Sequence, residues 1–290
     1  MKRLTILTSL AFALLLGTAL VRAGSPAAAQ TEPSTKKKRN QFQIAYLYAE
    51  DPALKPFEAL IKENQVLERD QHSLSYVKLP RPLLIRFGQC NEDNAWYDPD
   101  QHTVTVCYEL IRHIADIAPT DTQDGVTRQD VILGSVYFAL DHEIGHAVID
   151  MLGLPVLGSE EDAADALAAY SILTLDKPLP ERLIRGAAWM WEQEARLEKR
   201  DKGDLAGVHS LSSQRFFNLL CMAYGSDPIT FSFVERDLPS ERAAGCGREF
   251  KKLEFSVLKL FEGHIDIALR DQLRQYFRKS HPNVVQGSAK

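Results

Sequence analysis

Apolar residues fall in short strand-like runs before residue 108 and at helical spacing after residue 127. The run Phe-Gln-Ile-Ala-Tyr-Leu-Tyr predicts a strand from Gln43 to Tyr48. Pro52 to Leu67 places Leu54, Phe57, Leu60, Ile61 and Val66 on one helical face, which predicts a single helix. Leu83–Phe87 and Thr103–Tyr108 are again rich in branched and aromatic residues. Between them Asp98-Pro99-Asp100 supplies turn chemistry, so residues 94–108 predict a hairpin.

Thr127 with Asp130 has the form of a capping box, and Val131, Val136, Leu140, Ile144 and Val148 continue as the apolar face of a long helix. Gly153 and Pro155 end it. Ser159, with Asp162 three residues on, starts a second helix that runs through alanines to about Leu175. Pro178 and Pro180 break the chain, and helical spacing resumes over 181–199, 210–225 and 248–279. Strands first and helices afterwards predict an α+β fold. The expected domain spans 42–281, with a β-containing lobe over 42–155, a helical lobe over 156–281 and a loose tail over 282–290.

The N-terminus is set apart. Lys2 and Arg3, an apolar run from Leu4 to Val21 and small residues around Ala23 and Ala29 predict a signal peptide over 1–29, cleaved after either alanine. An uncleaved anchor is the alternative, since the run approaches spanning length. Residues 30–41 read as a polar linker. Expected localisation is therefore outside the cytoplasm, periplasmic or secreted, with no membrane span after signal removal. Three of the 34 basic residues and no acid lie in the first thirty, so the remainder carries 31 basic and 39 acidic residues, a net −8. That balance argues against nucleic acid as a partner. Oligomeric state is left open. Four cysteines allow three pairings. The local pairs, Cys90 with Cys107 and Cys221 with Cys246, suit export better than a metal site, since no C-x-x-C is present.

His142-Glu143-Ile144-Gly145-His146 carries the chemistry. Four residues apart on a helix, both imidazoles reach one ion, and Glu143 beside them can take and return a proton. A catalytic zinc needs a third protein ligand. Glu160, Glu161, Asp162 and Asp165 crowd the next helix start, where carboxylates also suit the helix dipole. Glu161 and Asp165 lie one turn apart, so Glu161 can bind metal while Asp165 accepts a histidine N–H. Glu160 is the alternative ligand and has no acid four residues on.

H-E-x-x-H followed by Glu-x-x-x-Asp resembles the thermolysin-type gluzincins, and the chain from the hairpin to Cys246 resembles a bacterial exported metallopeptidase family. The resemblance implies a zincin-like fold, Zn2+ held by His142, His146 and Glu161, Glu143 as catalytic glutamate, and a peptide or protein substrate. Asn94-Ala95-Trp96-Tyr97 is similar to the edge strand that holds substrate backbone, which implies a binding role for Asn94 and Ala95; a buried aromatic hairpin is the competing reading. Asp204-Leu205-Ala206-Gly207-Val208-His209 is similar to a segment whose histidine stabilises the transition state. It implies that His209 donates to the oxyanion and Asp204 orients it. Tyr97 and Tyr170 are further candidate donors. The gap from His146 to Glu161 is shorter than in thermolysin, and no segment resembles a calcium-binding loop. An exported, disulfide-stabilised binding or scaffold protein with a structural or vestigial metal is the alternative function.

Overall fold

The computed structural model describes residues 41–175 and 178–270, apart from the side chain of Asp204. Its sheet forms where branched residues cluster. β1 (Phe42–Tyr46) pairs in parallel with β2 (Leu83–Gly88), and β2 in parallel with β4 (Thr103–Cys107). β3 (Ala95–Asp98) lies antiparallel outside β4, giving the mixed order β1-β2-β4-β3. β4, Thr-Val-Thr-Val-Cys, is buried at every position, as a strand flanked and covered on all sides must be. The expected signal peptide, nearly all of the linker and the tail over 282–290 lie outside the described residues.

Two segments before α4 depart from the periodicity reading. The helix expected over 52–67 is two, α1 (Lys55–Glu63) and α2 (Val66–Leu74), separated by Gln65 in left-handed conformation at φ 51°. Asn64 Nδ2 donates to Leu60 O at 2.8 Å and satisfies a carbonyl at the end of α1. The strand expected to reach Tyr108 stops at Cys107, because Tyr108 already begins α3 (Tyr108–Ile117). Buried Glu109 in the first turn of α3 accepts the N–H groups of Cys90 and Asn91.

α4 (Arg128–Leu152) begins at the expected Thr127–Asp130 capping box and ends at Gly153. It is not a surface helix with one apolar stripe. The sheet, α3, α5 and α6 pack around it, so most of its positions are buried. α5 (Glu160–Leu173) starts beside Ser159 as expected, although Ser159 and Asp162 do not cap it: the Ser159 hydroxyl donates to Val208 O, and Asp162 accepts from Ser210. α6 (Leu179–Leu197) crosses α4 closely at Gly186, where a Cβ would stand 1.8 Å from Asp130 O. α7 (Lys202–Ala206), α8 (Ser212–Ser226), a 3-10 turn (Ser232–Arg236) and α9 (Ser240–Leu260) follow.

The helix expected over 248–279 begins earlier, at Ser240, and breaks after Leu260; residues 267–270 are helical again, and 271–279 lie outside the described residues. Beyond Gly263 the chain is pinned back to residues 76–78 through Lys78 N–H to His264 O and Asp266 N–H to Tyr76 O. Both local disulfides form: Cys90–Cys107 ties the segment before β3 to the end of β4, and Cys221–Cys246 joins α8 to α9. No helix among the described residues is long and apolar enough to cross a membrane.

Candidate metal centre

α4 carries His142 and His146 one turn apart, and α5 packs against that turn. A Cβ on Gly145 would stand 3.1–3.3 Å from atoms of Ala164, so glycine permits the approach. The approach brings Glu161 to the imidazoles. Nε2 of His142 and Nε2 of His146 are 3.2 Å apart, and Oε2 of Glu161 lies 3.2 Å from the first and 3.3 Å from the second.

The outer nitrogens are held by other carboxylates. His142 Nδ1 lies 2.7 Å from Asp165 Oδ1, and His146 Nδ1 lies 2.8 Å from Glu160 Oε1. An Nδ1–H that donates to a carboxylate leaves Nε2 as an acceptor. Two nitrogen lone pairs and a carboxylate oxygen then converge, an arrangement that can hold a cation between them. Burial opposes a charge on His146, but the Glu160 hydrogen bond and the charges of Glu161 and Glu143 outweigh it and raise its pKa.

Asp165 is clamped from the far side. Arg215 of α8 donates Nε to Oδ2 at 2.7 Å and Nη2 to Oδ1 at 2.6 Å, while its guanidinium lies 3.7 Å from the Trp191 ring centroid. Burial alone would raise the Asp165 pKa. The His142 and Arg215 hydrogen bonds overcome it and leave the carboxyl below its ordinary value.

Glu143 lines a cleft of about 370 Å³ together with His142, His146, Glu161, Asn94 and Ala95. Burial raises its pKa, against the lowering effects of both histidines and the Tyr97 backbone. The Cys107 N–H to Asn94 O bond fixes the register of β3, so the backbone groups of Ala95 and Tyr97 face away from β4. The Ala95 N–H is already taken by Asn94 Oδ1 at 2.9 Å.

His209 reaches the centre from the α7–α8 loop, with Nε2 2.8 Å from Glu161 Oε2. Burial lowers its pKa, as do Arg215 and His142, against the opposite effect of Glu161 and Asp165. The orienting part expected of Asp204 falls on a side chain outside the described ones. The other candidate donors do not point here. The Tyr97 hydroxyl donates to Asp150 Oδ2, and Tyr170 lines a different cavity and stacks on Phe250.

Sequence reasoning missed Arg215, Trp191 and Glu194, which also line the cleft. Burial raises the Glu194 carboxyl although Arg215 and the Ser212 hydroxyl pull it down. It also missed the hold of Glu160 on His146, whose signal was adjacency to Glu161. Cys90, Cys107 and Glu109 form a second tight cluster, but the disulfide and the backbone bonds to Glu109 occupy it.

No curated protein and no solved structure matches the chain. A protein-family model described as "Putative metallopeptidase" matches residues 46–260, from the last residue of β1 to the end of α9. That span is well over half the chain and contains every residue of the His142–His146–Glu161 centre, so the chain belongs to this metallopeptidase family.

Proposed function

We propose that the chain is an exported zinc peptidase with a zincin-like fold, in which His142, His146 and Glu161 hold the metal and Glu143 moves the proton. One observation carries the reading: three ligand atoms 3.2–3.3 Å apart, with both outer imidazole nitrogens engaged by carboxylates. Ligands at about 2.0–2.1 Å in tetrahedral directions stand roughly 3.3–3.4 Å from one another, and this separation suits zinc. Two nitrogens and one carboxylate also match a catalytic zinc donor set better than a calcium or magnesium one. When bound, zinc would supply an acidified water and a Lewis acid for the carbonyl under attack.

The chain's own groups do the rest. An extended peptide lies along β3 beside Asn94 and Ala95, where the outward Ala95 carbonyl accepts its N–H, and a side chain enters between Leu110, Ile114, Phe138 and Met190. Glu143, its pKa raised by burial, takes a proton from the attacking water and returns it to the leaving amine. His209 donates a hydrogen bond to the oxygen on which charge develops. Export rests on the N-terminal pattern and is compatible with the two disulfides.

The test is zinc stoichiometry together with peptide cleavage. We expect one zinc per chain, lost in His146→Ala, and a Glu143→Gln variant that keeps zinc while cleavage falls about 10²–10⁴-fold. Absence of stoichiometric zinc, or a Glu143→Gln variant as active as wild type, refutes the proposal. A filled site that cleaves no member of a broad peptide library supports the binding-protein alternative.

A further inference from the structure

On the other side of α4 from the cleft, α2 and α4 carry buried acidic and hydroxyl groups without hydrogen-bond partners. Asp70 of α2 and Asp141 of α4 are 1% and 3% exposed, and none of their four carboxylate oxygens makes a hydrogen bond. Tyr137 stands one helical turn before Asp141, is 2% exposed, and its hydroxyl is also unpartnered. Ser73 and Leu74, one turn on from Asp70 in α2, line one cavity with Asp141 and Ser171, which brings the three helices to one place; there the charges of both aspartates act on Tyr137, and that of Asp141 acts on Asp70. Ser171 of α5 lies beside Asp141, but its hydroxyl makes no hydrogen bond of ordinary geometry to it.

Two carboxylates buried without donors are costly unless something neutralises them. Arg270 lines the cavity that reaches Asp141, yet it makes no hydrogen bond to either aspartate. Arg69, next to Asp70, directs its Nε to Asn64 O. No protein cation among the described residues therefore pairs with them.

We propose that Asp70, Asp141 and the Tyr137 hydroxyl form a second cation site, separate from the His142–His146–Glu161 centre, that takes a hard divalent ion of the calcium type. All its donors are oxygens, which excludes the preference of softer metals for nitrogen and sulfur. Four carboxylate oxygens with the Tyr137 and Ser171 hydroxyls make about six donors, the lower end of what calcium accepts, and calcium tolerates an irregular set better than magnesium. The two negative charges balance the ion. A cavity of about 90 Å³, lined by Asp141, Ser171 and Gly145, provides the approach. The ion would join α2, α4 and α5.

The experiment titrates calcium into the full chain already saturated with zinc, reading heat and melting temperature. Wild type should bind one calcium and melt higher with it. Asp70→Asn should weaken calcium binding about 100-fold and abolish the melting shift while zinc stoichiometry stays at one. Tyr137→Phe, which preserves volume, should weaken binding without loss of fold. The proposal is overturned if wild type takes up no calcium, or if Asp70→Asn binds it as wild type does. It is also overturned if Asp70→Asn is at least as stable as calcium-saturated wild type, the mark of a carboxyl pair sharing a proton.

Discussion

Arg215→Met tests whether the clamp on Asp165 is electrostatic. Both side chains are 13% exposed, so little water can replace the guanidinium. Methionine keeps much of the volume and its contact with Trp191, so the change removes mainly charge and two hydrogen bonds. Breaking a buried pair from one side costs about 3–5 kcal/mol. A ceiling exists, because Asp165 left unpaired can take a proton. From an ordinary pKa of about 3.9, that route costs about 1.4 kcal/mol per pH unit, hence about 4 kcal/mol at pH 7 and about 1.5 kcal/mol at pH 5. The expected penalty is therefore about 3–4 kcal/mol at pH 7 and at most about 1.5 kcal/mol at pH 5. Urea unfolding of wild type and variant, with a chelator present to remove zinc linkage, measures it. A penalty below about 1 kcal/mol at pH 7, or one equal at both pH values, refutes the reasoning and makes Arg215 a packing residue.

Four further outcomes are expected. Glu161→Ala should abolish stoichiometric zinc, whereas Glu160→Ala should weaken zinc only about 10–100-fold by releasing His146 Nδ1; metal analysis at graded free zinc separates them, and the reverse ranking would make Glu160 the ligand. His209→Ala should keep zinc and lower kcat about 10²–10³-fold, read in steady-state cleavage. Gly186→Ala, which sets a methyl against Asp130 O, should destabilise by at least about 1–3 kcal/mol in thermal unfolding and widen the α4–α6 side of the cleft. The Asp165 pKa is depressed in the folded chain, so its contribution is complete above its unfolded value near ~3.9 and is lost as pH falls through the folded one. Wild type should accordingly lose stability more steeply than Asp165→Asn below about pH 4, by urea unfolding across pH.

The sequence made legible whatever local chemistry decides. Branched runs marked β1, β2 and β4, the Thr127–Asp130 box marked the start of α4, and the four-residue spacing paired His142 with His146 and Glu161 with Asp165. The break at Gln65 was hidden because neither glycine nor proline signals it. α3 was hidden because the branched run of β4 continues without punctuation into Tyr108. The start of α9 was obscured by Gly245 and Gly247, which flank the cysteine bonded to Cys221. Arg215 and the Glu160–His146 contact depend on how helices approach, and an arginine 50 residues from its partner leaves no local trace. The acid pair was equally silent, because Asp70 and Asp141 sit on helices far apart in the chain.

The order in which the centre is threaded has a consequence for biogenesis. His142, His146 and Glu161 lie within 19 residues on two consecutive helices, so they can meet by a short-range closure that folds fast. Arg215 arrives 50 residues after Asp165, and His209 only slightly sooner. Under the proposed reading, a chain emerging from synthesis or translocation would acquire its grip on an ion before it acquires the groups that brace Asp165 and face the reacting carbonyl. Loading would then precede competence, and the interval would keep a half-made hydrolase idle.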